Sequence, residues 1–142
     1  MIIDQILKVK GAGVTTILAT ERIHTVARLL DDAKIGAVVA MSETGEVAGV
    51  LSERDIVRQV ARHGERALGL PVADAMTRDV ITGTPTDTPE HCLSVMTDRR
   101  IRHLPILKDG RLAGIISIGD LVKWKIAETE AEAESLKSYL AS

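Results

Sequence analysis

Gly49-Val-Leu-Ser-Glu-Arg-Asp55-Ile-Val57 returns as Gly114-Ile-Ile-Ser-Ile-Gly-Asp120-Leu-Val122, 65 residues further along the chain and without a gap. Each stretch runs from an aliphatic strand pattern into Ser-x-x-Asp, a pattern that starts helices. Upstream the match continues. Ile35 to Met41 (IGAVVAM) aligns with Ile101 to Leu107 (IRHLPIL), now 66 residues apart. The extra residue lies in a turn, Ser-Glu-Thr-Gly45 in the first copy against Lys-Asp-Gly110 in the second, where a surface hairpin tolerates it.

Outward from this motif the two copies read in one order. Thr16-Ile17-Leu18 and Val80-Ile81-Thr82 are predicted as short strands. Amphipathic helices follow, with Ile23, Val26, Ala27 and Leu30 on one face in the first copy and Cys92, Leu93 and Met96 in the second. Thr88 followed by Pro89 marks a helix start, a capping side chain and then proline at the first helical position. Two strands come next in each copy, Ala37 to Met41 with Val47 to Leu51, and His103 to Leu107 with Arg111 to Ser117. A closing helix begins at Ser52 or Ser117, and the first ends near Arg62-His63-Gly64, a basic last turn and a glycine stop. The connector spans Gly64 to Val72 and contains Gly69 and Pro71. A βαββα unit of about 60 residues is too small to bury a core alone. The expected fold is therefore α/β (α+β), with repeats at 1–68 and 69–125 packed as a pseudo-two-fold pair and a helical extension at 126–142.

The composition narrows the function classes. The chain has 142 residues, of which 45% are apolar, 27% charged and only 1% aromatic, so aliphatic side chains build the core and base-stacking platforms for nucleic acid are nearly excluded. The net charge of −2 supplies no global field for DNA or an anionic membrane. No signal peptide or bilayer-spanning run is read, and a single cysteine fits a reducing compartment, so the cytoplasm is the expected location.

Val72-Ala-Asp-Ala-Met76 opening the second copy, the HLPI run at His103 to Ile106 and the twice-occurring Gly-φ-φ-Ser-x-x-Asp (φ aliphatic) together resemble the CBS-domain family, named after cystathionine β-synthase. The resemblance covers roughly Ile6 to Lys125 and is to a stand-alone tandem pair, or Bateman module. It implies a regulatory module that binds AMP, ATP, ADP or NAD in clefts between the copies and signals to a downstream protein partner. It implies that Ser52, Asp55, Ser117 and Asp120 hold ribose hydroxyls, that Arg54, Arg102 and His103 meet phosphate, and that Thr16, Val38, Met76, Thr82, Leu104 and Pro105 line adenine pockets.

The residues themselves allow two readings. A carboxylate at a helix start accepts two hydrogen bonds from a vicinal diol, and Ser-x-x-Asp is equally a capping box. Arginine near a helix N-terminus suits a phosphate, and is equally a solvated surface side chain. The copies also differ. Arg102-His103 is replaced by Gly36-Ala37, Arg54 by Gly119, Pro105 by Val39 and Pro85 by Ala19, so two clefts would not be equivalent. A proline in a strand suits an edge or a cleft wall.

No catalytic activity is expected. Gly11-Ala-Gly13 lacks the third glycine of a dinucleotide fingerprint, no P-loop is present, the four histidines and Cys92 lack metal-ligand spacing, and Cys92 lies on a core face. The rival readings are an interaction module with empty clefts and, more remotely, hydrolysis of a bound nucleotide. For assembly, Val122, Ile126, Thr129, Ala133, Leu136 and Leu140 recur at spacings of four and three, a coiled-coil-like seam. With Ile2, Ile3, Ile6 and Leu7 as a second apolar strip, a homodimer is expected.

Overall fold

The computed structural model describes residues 1–11 and 16–141. Gly13 of the glycine pair lies outside them. The first half contains strand β1 (Thr16–Leu18), helix α2 (Ile23–Ala33), strands β2 (Ala37–Met41) and β3 (Val47–Ser52) and helix α3 (Glu53–His63); helix α1 (Ile3–Lys10) precedes it. Two 3₁₀ stretches, Gly64–Gly69 and Val72–Asp74, lead to α4 (Pro89–Arg99), β4 (His103–Lys108), β5 (Arg111–Ser117) and α5 (Ile118–Ala141). β2 and β3 pair antiparallel with β1 parallel to β2, while β4 and β5 pair antiparallel. The closing helix α5 runs for 24 residues with no break where the extension begins.

Duplication is visible in backbone detail. α2 and α4 both end on a left-handed residue, Lys34 at φ 54° and Arg100 at φ 55°, after which Ile35 N–H donates to Leu30 O at 3.1 Å and Ile101 N–H to Met96 O at 3.0 Å. That conformation costs a non-glycine residue roughly 1–2 kcal/mol, which the bonds to orphan helix carbonyls help offset. The Thr88 cap forms as expected, its hydroxyl accepting from His91 N–H at 3.1 Å. Leu93, expected on the apolar face of α4, is instead 39% exposed.

The predicted strand Val80-Ile81-Thr82 does not form. Only a bridge at Gly83 joins β4: Gly83 N–H donates to Pro105 O and Leu107 N–H donates to Gly83 O, both at 2.9 Å. The next step of a parallel ladder upstream would take an N–H from residue 105, and proline has none. In the first half Val39 keeps its N–H, and β1 pairs with it from Thr16.

Each core is closed by the segment that precedes the other half. Ile23, Val26, Leu30, Val38 and Leu51 are covered by Val72, Ala75 and Met76. Cys92, Met96, Leu104, Ile106, Ile116 and Leu121 are covered by Ile3 and Ile6 of α1. The docking bonds repeat as well: Val72 N–H donates to Glu21 O (2.7 Å) and Ala73 N–H to Ala19 O (2.9 Å), as Ile3 N–H does to Asp87 O and Asp4 N–H to Pro85 O (2.9 Å each). The motif glycines make room for this packing. A Cβ on Gly49 would stand 2.7 Å from Met76 Sδ, and one on Gly114 2.5 Å from Leu7 Cδ2. The N-terminal residues expected to form an outer strip are thus largely internal, Ile3 being fully buried, because α1 fills the second core.

A chain cut after Gly69 keeps the first repeat but loses Val72, Ala75 and Met76, and should show no cooperative thermal transition. Ile3→Ala should cost about 2–5 kcal/mol and speed amide exchange in β4 and β5 before β2 and β3. An independently stable fragment, or exchange rising first in the first half, would contradict the exchanged packing.

Candidate ligand-binding cleft

Both Ser-x-x-Asp motifs sit where a strand turns into a helix, and both form the reciprocal cap. Ser52 Oγ accepts from Asp55 N–H at 3.3 Å while Asp55 Oδ2 accepts from Ser52 N–H at 3.0 Å; Ser117 Oγ accepts from Asp120 N–H at 3.0 Å and Asp120 Oδ2 from Ser117 N–H at 2.9 Å. Capping leaves the carboxylates hydrogen-bonding capacity beyond it. Asp55 uses it on Ser52 Oγ–H (3.1 Å) and on Arg58 Nη1 (3.2 Å), one turn along α3. Asp120 accepts from Lys10 Nζ at 2.7 Å, and although burial alone would raise its pKa, the bonds from Lys10 and Ser117 pull it below the usual carboxylate value.

Ser52 and Asp55 open onto a cleft of ≈ 260 Å³ between the halves. Its first wall is the β3–α3 junction, with Glu53, Arg54 and Arg58; its second is the α4–β4 turn, with Arg100, Arg102, His103 and Pro105. The segment from Thr77 to Ile81 crosses between them and brings Asp79. All three residues expected to meet phosphate, Arg54, Arg102 and His103, therefore converge with one of the two ribose pairs. Four arginines here face three acids, Glu53, Asp55 and Asp79.

The difference between the copies shapes this space. Gly36, which corresponds to Arg102 in the repeat, lies against His103: a Cβ there would come within 3.2 Å of the imidazole Nε2 and 3.6 Å of Glu53 Oε1. Burial first, and then the charge of Lys10, lowers the His103 pKa below its ordinary value, against the opposing pull of Glu53 and Asp120. The ring is therefore neutral near pH 7.

Several expected contributors lie elsewhere. Leu104 is a core residue because strand alternation turns it away from the cleft that His103 and Pro105 line; Val38 is a core residue on β2, which contributes nothing to the cleft's lining, and Met76 is buried against Gly49. Thr82 and Thr16 are exposed and are not among the cleft's lining residues, nor are Ser117 and Asp120. Arg58, Arg100 and Asp79 were not anticipated. Arg58, three residues after Asp55 on a helix, was within reach of a spacing argument. Burial, followed by the charge of Asp87, pushes the Cys92 thiol up to about 11, which leaves it an uncharged packing group.

The CBS-domain family matches residues 11–62 and again 72–127. The chain belongs to that family. Among CBS relatives, the mitochondrial CBS domain-containing protein CBSX3 of Arabidopsis thaliana is 32% identical over 124 residues, which cover 84% of this chain and 60% of the plant protein. The solved CBS-domain containing protein ATU1752 of Agrobacterium tumefaciens superposes with a TM-score of 0.83 at 41% identity, over 86% of this chain and 91% of that one. The CBS domain protein PAE2072 of Pyrobaculum aerophilum, complexed with AMP, gives 0.76 at 28% identity over 84% and 89%.

The lowered His103 pKa has a direct consequence for stability. The unfolded chain takes the proton more readily, so the contribution of a neutral His103 is complete above the ordinary value of 6.5 and is lost as pH falls below it. Melting temperatures of the wild type and His103→Gln should differ by a constant amount above pH 7. Between pH 6.5 and 5 the wild type should fall faster; parallel curves would contradict the assignment.

Proposed function

We propose that this CBS pair is a regulatory sensor of an adenine nucleotide, AMP, ATP, ADP or NAD, that binds in the Ser52–Asp55 cleft and passes its occupancy to a protein partner. The convergence of a helix-start carboxylate with Arg54, Arg102 and His103 from opposite halves carries this reading. Asp55 would accept from the ribose diol once the Ser52 hydroxyl turns its proton away, Arg54 would face the phosphates, and Pro105 would offer the base a flat apolar wall. The AMP complex of the Pyrobaculum relative supports the ligand class. Because the walls belong to different halves, a ligand spanning them would favour one relative placement of the halves, and that is what a partner would read.

The same proposal includes a homodimer. Val57 on α3 and Val122 on α5, equivalent in the repeat, are 66% and 48% exposed, and Ile126, Leu136 and Leu140 continue an exposed apolar line along α5. Between α4 and α5, Leu93 and Trp124 line a groove in which the indole N–H is buried without an acceptor among the described residues. Among the described residues no helix is long and apolar enough to cross a membrane.

Asp55→Asn keeps an acceptor for the cap but loses the charge, and should weaken AMP binding roughly 10- to 150-fold in calorimetry while moving the melting temperature little. AMP should bind more tightly than adenosine, by a margin that shrinks with added salt. Equal affinity for AMP and adenosine at low salt, or unchanged affinity in Asp55→Asn, would reject the site. Light scattering should give a dimeric mass at micromolar concentration, and Val57→Lys with Val122→Lys should give a monomer; a monomeric wild type rejects the dimer.

A further inference from the structure

The two carboxylates of the repeat are not equally available. Beyond its cap, Asp55 is bonded by groups of its own helix turn: the Ser52 hydroxyl, which can reorient its proton, and Arg58, whose side chain is 47% exposed. Asp120 is held by a residue 110 positions away, at the end of α1. Lys10 Nζ stands 2.7 Å from Asp120 Oδ2 and also donates to Ile115 O at 2.8 Å. The second bond fixes the ammonium. In the first half the carbonyl equivalent to Ile115 O belongs to Val50, and it accepts from the backbone N–H of Thr77 at 2.9 Å. Lys10 thus replaces a backbone donor and in the same step places a positive charge on the second carboxylate.

With Ser117 N–H and Lys10 on it, Asp120 Oδ2 has both its lone pairs engaged, so a diol gripping both carboxylate oxygens has to evict the lysine. Eviction costs more than a rim ion pair would. Only 35% of the Lys10 side chain and 23% of the Asp120 side chain are exposed, the bond is charge-assisted, and leaving also strips the Ile115 carbonyl of its partner. The anchor of α1 is secure, since Ile3 and Ile6 are locked in the second core.

Resting on the reading of the Ser52–Asp55 cleft as a nucleotide site, we infer that Lys10 occupies the ribose position at Asp120, and that it is the residue that restricts each chain to a single nucleotide. The same ammonium repels a protonated His103, whose strand position pairs with Ser117, so the occupied second position also bears on the first cleft.

Calorimetric titration of the full chain with AMP tests this. The wild type should take about one AMP per chain, Lys10→Met about two, and Lys10→Arg about one. Asp55→Asn should remove most of the wild-type binding, while Lys10→Met with Asp55→Asn should retain about one AMP, at Asp120. A cooperative melt of each variant establishes that it is folded. Two AMP per wild-type chain, or one in a folded Lys10→Met, overturns the role of Lys10 and leaves the first cleft standing. Loss of all binding in Lys10→Met makes the lysine a ligand contact and equally overturns it. If neither wild type nor Lys10→Met binds AMP, the reading of the first cleft fails and this inference falls with it. The Asp120 carboxyl resonance supplies a readout independent of ligand: its titration should move to higher pH in Lys10→Met, and an unmoved titration shows that the ion pair is absent.

Discussion

Ile3 and Ile6 are buried in a core whose other buried members run from Cys92 to Leu121. That crossing, and its counterpart in which Val72, Ala75 and Met76 close the first core, is the constraint on which the rest of the structure depends. A βαββα unit exposes one sheet face that its two helices do not fully cover, and here the missing cover comes from a segment belonging in sequence to the other unit. The two halves are thereby bound by core packing as well as by the connector. The two walls of the cleft, one carrying Asp55 and the other His103, belong to halves joined in this way.

Much of this was legible in the sequence, for identifiable reasons. The duplicated Gly-φ-φ-Ser-x-x-Asp placed the strand–helix junctions because aliphatic periodicity and caps are local signals. The Thr88-Pro89 start and the one-residue difference between the turns were legible for the same reason: Asp109 and Gly110, with φ of 52° and 77°, make the tight second turn, and the first is longer. The exchange of opening segments was not legible, since apolar residues at helical spacing do not state which core they enter. Ile3 and Ile6 looked like an outer strip on that account. The absent strand at Val80 to Thr82 was in principle readable, because Pro105 removes an N–H that a parallel neighbour needs. Its strand-breaking effect falls on the partner strand, whereas a proline is ordinarily judged by its own.

The candidate site followed a similar division. Arg54, Arg102, His103, Ser52 and Asp55 were found by motif, and they meet. Leu104 flanks the right positions but points the other way, since neighbours on a strand face opposite sides of the sheet, while Val38 lies on a strand that lines no part of the cleft. The inequivalence of the copies was legible too, in their unlike residues; what no motif gave was the contact of Lys10 with Asp120. Gly36 leaves space where its counterpart Arg102 brings charge, and Lys10 engages an aspartate whose counterpart Asp55 faces an open cleft. Duplication supplies two equivalent frames, and a few substitutions at their junction give one cleft with unlike walls.

The exchanged segments also impose an order on biosynthesis. The first half closes once Met76 has left the ribosome, but α1 has no core to enter until Leu121 has followed. Until those residues are made, Ile3 and Ile6 belong to a short amphipathic segment that precedes the core it will enter. An eight-residue helix is marginal in water by itself. This segment therefore docks late although it is made before the core it enters, and the contact it finally makes is among the most distant in sequence that the fold contains, a slow kind of step because the long loop has to be closed before the contact stabilises anything.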